Sequence, residues 1–210
     1  MYGEQMFRAA RISVRVLARS SVRRVAGISL AALLLFGTAA LAQDGRELPD
    51  EARKQYLAGL RDASQLVKDG QFASAREKLQ KLLAERPREP QARFLKGVVE
   101  TELGRTDEAI GVFSALIEDY PELPEPYNNL AVLQAQKGDY ENARTSLEIA
   151  IRTAPGWSVA RENLGDLYAR LAAVEYAQAA KLDHDNKSAP AKLVFIRELF
   201  AKAAPTKPKS

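Results

Sequence analysis

The chain has no cysteine, a single histidine and a single tryptophan among its 210 residues. Without cysteine there is no disulfide scaffold, no thiol nucleophile, no zinc ribbon and no lipid attached at a thiol. With His184 as the sole imidazole, a multi-histidine metal centre is excluded and a Ser–His relay is disfavoured. No convincing strand is present, so no glycine-rich phosphate loop can follow one. Apolar and charged side chains are abundant, at 46% and 28%. That balance excludes a disordered chain, and the length excludes a large two-domain enzyme.

The basic excess of the whole chain, a formal net charge of +4, comes from its beginning. Arg8, Arg11, Arg15, Arg19, Arg23 and Arg24 precede an uncharged run of 19 residues, Val25 to Gln43, that ends in the small residues Ala40 and Ala42. A basic head, an apolar middle and a small-x-small exit are the pattern of a bacterial secretory signal peptide. Residues 1–42 are therefore expected to be a signal peptide cut between Ala42 and Gln43, leaving a periplasmic protein of a Gram-negative cell. The alternative is an uncleaved anchor in the inner membrane, since the run lies near the lower length of a spanning helix. Gly37 and Thr38 weaken that alternative. Removal of the segment leaves 25 basic residues (31 less 6) and 26 acidic ones (27 less 1), a net charge of −1. A nucleic-acid partner, which calls for a concentrated basic surface, loses its support. The missing cysteine also suits a compartment in which stray thiols oxidise.

The rest of the chain is periodic. Gly70, Gly104 and Gly138 are spaced 34 apart, as are Ala75, Ala109 and Ala143, and Pro87, Pro121 and Pro155. Leu79, Phe113 and Leu147 keep the same step, as do Leu82, Leu116 and Ala150. Each slot has a physical task. Glycine tolerates the left-handed backbone that ends one helix and turns into the next. Alanine lets two helices approach, and the bulky residue one turn later fills the space between them. Proline stops the second helix because it cannot continue the hydrogen-bond ladder. The unit is helix, tight turn, helix, stop.

With these residues in these slots, the chain resembles the tetratricopeptide repeat proteins. The unit at about 124–157 carries the fullest motif, with Tyr127, Leu130, Ala131, Gly138, Tyr140, Ala143, Leu147, Ala150 and Pro155. The unit at 90–123 departs from it at Arg93, Lys96 and Glu100, and the unit at 56–89 matches mainly in its second half. A degenerate fourth unit, 158–187, lacks Gly and Pro from Asp166 to Ala189, which predicts one long helix over Ser158 to Lys181; a tight Ala-Ala turn is the alternative. Leu193, Ile196 and Phe200 then form one stripe of a capping helix over 190–203. A polar leader, 43–49, and a tail, 204–210, flank the solenoid of 50–203. The resemblance implies an all-α, right-handed superhelical solenoid of helix pairs.

It also implies a binding role without catalysis. In the family, the first helices of successive repeats line a concave groove that holds peptides. Carried over position by position, that groove is Glu125, Asn128, Asn129, Val132 and Gln136, followed by Val159, Glu162, Asn163, Asp166 and Arg170. Earlier units place Gln91, Phe94, Leu95, Val98 and Glu102 there, and before them Leu57, Leu60, Arg61, Ser64 and Lys68. Asn129 and Asn163 share a slot at which the family's asparagine often bonds a ligand main chain, an amide offering both donor and acceptor. Their replacement by alanine is then expected to weaken binding without altering stability. Phe94 and Leu95 have a second reading, as packing against a neighbouring helix. Trp157 is read as a wedge between helices more than as a partner anchor. His184 falls in a polar loop, at the slot of the helix-stopping proline. No cofactor or metal is expected. The ligand is a protein or peptide, and an acidic C-terminal tail is disfavoured because Arg61, Lys68 and Arg170 lie too far apart to clamp one. A hydrolase using two convergent carboxylates is the remote alternative.

Overall fold

A computed structural model describes residues 50–202, which contain eight helices and no strand. They are α1 (Asp50–Lys68), α2 (Phe72–Glu85), α3 (Pro90–Glu102), α4 (Thr106–Asp119), α5 (Pro124–Lys137), α6 (Tyr140–Thr153), α7 (Ser158–Leu182) and α8 (Ser188–Lys202). Each packs against the next in sequence, so the chain is an all-α solenoid of stacked hairpins. The expected signal peptide, the leader 43–49 and the tail 204–210 lie outside the described residues.

The turns within the first three pairs are chemically alike. Gly70, Gly104 and Gly138 have φ of 71°, 74° and 84°, a conformation that costs any residue with a Cβ. Around each glycine two backbone bonds close the helix end. At the first, the Gly70 N–H donates to Val67 O at 3.1 Å and the Gln71 N–H to Leu66 O at 2.8 Å. The same pairs recur from Gly104 and Arg105 and from Gly138 and Asp139. This is the Schellman arrangement, which satisfies carbonyls that the helix end would leave orphaned. The second helices stop just before proline: α2, α4 and α6 end two residues ahead of Pro87, Pro121 and Pro155. Proline forces its predecessor out of the helical region, and Arg86, Tyr120 and Ala154 have φ of −135°, −138° and −130°. Pro90 and Pro124 open α3 and α5, where their missing N–H costs no bond.

Between the helices of a pair, the repeat slots are the core. Ala75, Ala109 and Ala143 are fully buried, as are Leu79, Phe113 and Leu147 beside them to within 2%. Gly97 of α3 brings its backbone against the Phe113 ring, which a Cβ would meet at 2.5 Å. Trp157 is half-buried against Tyr127, Ala150 and Ala160, in keeping with a wedge.

The three departures in the second unit are accommodated by charge. Arg93 Nη1 donates to the Asp119 carboxylate. Glu100, whose side chain is 3% exposed, accepts from Arg76 Nε at 2.8 Å and lies 3.7 Å from Arg105 Nε. Lys96 joins Arg76 and Glu100 along a cleft between α2 and α3. Where an apolar contact would sit, the Arg76–Glu100 ion pair joins units one and two, and Arg93–Asp119 ties the two helices of unit two.

In the fourth unit α7 is continuous over 25 residues. Lacking a turn former, it extends past the point where earlier units reverse, and α8 folds back along it. Asn186 Oδ1 accepts the Ala189 N–H at 3.0 Å, so α8 begins at Ser188, before Pro190. Ala189 and Phe200 are buried and Leu193 and Ile196 half-buried. No described helix is long and apolar enough to cross a membrane.

Candidate functional site

Residues spaced i, i+4, i+7 and i+11 line one face of a helix, and the 34-residue period places equivalent residues on successive first helices. On α3 the stripe is Gln91, Leu95, Val98 and Glu102; on α5 it is Glu125, Asn129, Val132 and Gln136; on α7 it is Val159, Asn163, Asp166 and Arg170. The helices α5 and α7 touch directly, with α6 behind them. Their lower halves line an open cleft. Five residues assigned to the groove from sequence line it: Val132, Gln136, Asn163, Asp166 and Arg170. Its apolar lining is Ala131, Ala135, Leu147 and Leu167, of which Ala131 and Leu147 are repeat-motif positions; the 34-residue pattern does not distinguish a covered core position from one at the base of a cleft.

Elsewhere the structure corrects the assignment. Phe94 and Val98 are core residues, 5% and 6% exposed, and Leu95 is fully buried. The Phe94 ring sits 5.8 Å from that of Phe113, tilted by 56°. Leu95 and Val98 join the core cluster that also holds Tyr56, Leu60, Leu130 and Leu133, so the middle of the α3 stripe is covered. Leu60 and Ser64 of α1 are buried too. Gln91 and Glu102 of α3 are half-buried, and Glu162 of α7 is exposed.

The asparagines are also corrected. Asn128, 2% exposed, accepts from Asn163 Nδ2 at 2.8 Å, which ties α5 to α7. Asn129 is 1% exposed and its Nδ2 donates to Glu125 O, one turn back, at 2.8 Å. Neither amide offers a donor and an acceptor together. What is left is Asn129 Oδ1, a buried acceptor without a hydrogen bond among the described residues. Glu102 Oε1 and Gln136 Nε2 share that condition. Unpaired buried polar atoms are costly in a folded chain.

Burial sets the electrostatics. Loss of water raises the carboxyls of Glu102 and Glu125 above the usual range, partly offset at Glu125 by a bond from its own backbone. The guanidinium of Arg170 is held below its ordinary value by burial, against the opposing pull of Tyr140 and Asp166. Phe200, arriving from α8, lies under Arg170 with its ring centroid 5.1 Å from Cζ. That contact joins residues 30 positions apart and no motif announces it. His184 is exposed in the loop after α7. Among the described residues no group of three His, Cys, Asp or Glu could hold a metal ion.

Two models of the tetratricopeptide repeat match residues 60–124 and 124–156. The chain is a tetratricopeptide repeat protein. Solved relatives share its fold. The first tetratricopeptide domain of Spaghetti (RPAP3), bound to an HSP90 peptide, is 15% identical over 57% of this chain and 94% of that one, with a TM-score of 0.53. A thermophilic repeat protein of Thermus thermophilus is 22% identical over 71% and 86%, with a TM-score of 0.54. MamA of Desulfovibrio magneticus is 17% identical over 90% and 96%, with a TM-score of 0.51. No curated protein sequence matches the chain. A tetratricopeptide repeat protein is a scaffold for protein–protein interaction.

Proposed function

We propose that this tetratricopeptide repeat protein is a non-catalytic periplasmic adaptor, whose groove holds a partner protein or peptide within a cell-envelope assembly. The cleft between α5 and α7 carries the reading. It gathers two amides, a carboxylate and a guanidinium over an apolar floor, the mixture that orients a bound segment while burying part of it. Asp166 is its one carboxylate, and Glu100 is the one carboxylate of the cleft between α2 and α3; a pair for general acid and base work is not assembled in either. The basic head, uncharged run and small-residue exit of residues 8–42 support export.

Site-specific photo-crosslinking in intact cells tests the groove. A crosslinker at Val132 should join the protein to one defined partner, and one at the exposed Glu118 should not. Equal yields at both positions would remove the groove from the account. The uncharged run favours a second reading, a scaffold tethered to the inner membrane and facing the periplasm. Mass spectrometry of the mature N-terminus separates the two: a start at Gln43 excludes the tether, and an intact N-terminus excludes the free adaptor.

A further inference from the structure

We infer that α8 lies on the surface of an anionic phospholipid bilayer, with Phe195 and Leu199 among the upper acyl chains and the basic side chains beside them against the headgroups. The inference goes beyond the groove reading and does not rest on it. Ala189, Leu193, Ile196 and Phe200, spaced i, i+4, i+7 and i+11, share the side of α8 that packs on α7, and all are buried or half-buried. The outer side of a solenoid's last helix is ordinarily polar, which keeps the stack soluble. In α8 it carries Ala191, Val194, Phe195 and Leu199, and the last three are exposed at 49%, 70% and 55%. Leu182, at the end of α7, is 78% exposed. The helix at the other end of the stack has the ordinary character: Lys54, Arg61 and Gln65 are exposed along α1, while Leu57, Leu66 and Val67 are half-buried against the core.

Charge decides what covers this face. From Lys181 to Ser210 the chain has seven basic residues (Lys181, Lys187, Lys192, Arg197, Lys202, Lys207 and Lys209) and three acids (Asp183, Asp185 and Glu198), a net charge of +4. From Gln43 to Ala180 it has 18 basic residues (25 less 7) and 23 acids (26 less 3), a net charge of −5. The positive charge is therefore gathered at the end that exposes the apolar side chains. Within α8, Lys192 and Arg197 are exposed on opposite flanks of the strip formed by Val194, Phe195 and Leu199. Lys192 Nζ stands 5.0 Å from the centroid of the Tyr176 ring, at the seam with α7. Apolar side chains in the middle and cations at the edges are the pattern of a helix lying in a membrane interface, where long basic side chains reach the headgroups. The 15 residues of α8, about 22 Å, suit that placement and are too short to span the hydrocarbon.

A second copy of the chain fits less well. Stacking head to tail needs a matching apolar patch, and the other large apolar side chains exposed among the described residues are Leu103, Tyr168 and Val174. Leu103 follows α3, and Tyr168 and Val174 lie on different sides of α7, so none shares a helix face with another. Pairing α8 with α8 would match the two apolar strips. It would also bring like charge together, because α8 holds Lys192, Arg197 and Lys202 against the single acid Glu198. An anionic bilayer accepts the strip and the cations at once.

The test uses the full 210-residue chain with one cysteine introduced, which takes a fluorophore at a single place because the sequence has no other. An NBD group on A191C reports from the outer side of α8, and one on E118C from an exposed position of α4. With vesicles of phosphatidylglycerol and phosphatidylcholine, the A191C probe should brighten and shift to the blue, and the E118C probe should not. K187Q/K192Q/R197Q should need about tenfold more lipid or greater for the half-maximal shift, each cation near an anionic surface being worth about fivefold. F195Q/L199Q should lose the shift while keeping the parent's urea midpoint, since both residues are exposed. Attachment through the uncharged run of residues 25–43 would bring both probes to the vesicle alike, so the contrast between them isolates α8. No shift from A191C, or an equal shift with phosphatidylcholine alone, would overturn the inference. So would a shift that grows with protein concentration in the absence of lipid, which would assign the face to a second copy.

Discussion

Gly97→Ala sets two physical effects against each other at one site. Gly97 lies in the interior of α3, where alanine is favoured over glycine by about 0.8–1.0 kcal/mol. On helix propensity alone the substitution stabilises. In the fold, however, the new Cβ would lie 2.5 Å from Phe113 Cε1, 2.6 Å from Cζ and 3.0 Å from Cδ1. Phe113 is fully buried, and its ring is boxed in by Phe94. It can yield only by moving α4 away from α3, and overpacking of this kind costs about 1–3 kcal/mol or more. With three ring atoms inside contact distance the upper part of that range applies, so the net loss is about 2 kcal/mol. Gly111→Ala is the internal comparison. It is also mid-helix, in α4, but exposed and with nothing within 4 Å of the added carbon. It should stabilise by about 0.5–1 kcal/mol. Urea unfolding followed by far-ultraviolet circular dichroism gives both values. G97A/F113L should be less damaging than the sum of its single variants by about 1 kcal/mol or more, because leucine vacates the ring volume. If G97A stabilises as G111A does, or if the double variant is additive, the close approach of α3 and α4 is not what the structure shows.

Ala143→Glu places a carboxylate at a fully buried position packed with Ala131, Leu147 and Leu167 and should destabilise by about 3 kcal/mol or more in the same unfolding assay. Asn163→Ala leaves the Asn128 Oδ1 acceptor buried and unpaired, so it should cost about 1–3 kcal/mol, measurable as a lower urea midpoint; sequence reasoning expects no such cost. Glu102 and Glu125 have raised folded-state values. Their contribution to stability is therefore present below the ordinary glutamate value and is lost as pH rises through the raised one. E102Q/E125Q should accordingly melt above the parent at pH 7, with the gap closing below about pH 4; a gap that widens on acidification would reverse the sign of the argument.

Much of this architecture is written locally. The glycine at a left-handed turn, the proline after a helix, and the Ala-then-large pair inside a hairpin each act within a few residues. Repetition every 34 residues then multiplies a local rule into a stack. The lack of any turn former between Asp166 and Ala189 decided in the same way that α7 would not fold into a hairpin. Helical spacing also determines which residues share an angle around a helix, and so named Val132, Gln136, Asn163, Asp166 and Arg170 together. Spacing does not say what covers that angle. The middle of the α3 stripe is buried in the core with Tyr56, Leu60, Leu130 and Leu133, whereas part of the α5 stripe stays open beside α7. The ion pairs of Arg93 with Asp119 and of Arg76 with Glu100 join residues 26 and 24 apart, and Phe200 reaches Arg170 from the last helix. Those contacts arise where separate elements meet, so tertiary packing alone chose which part of the stripe remains available to a partner.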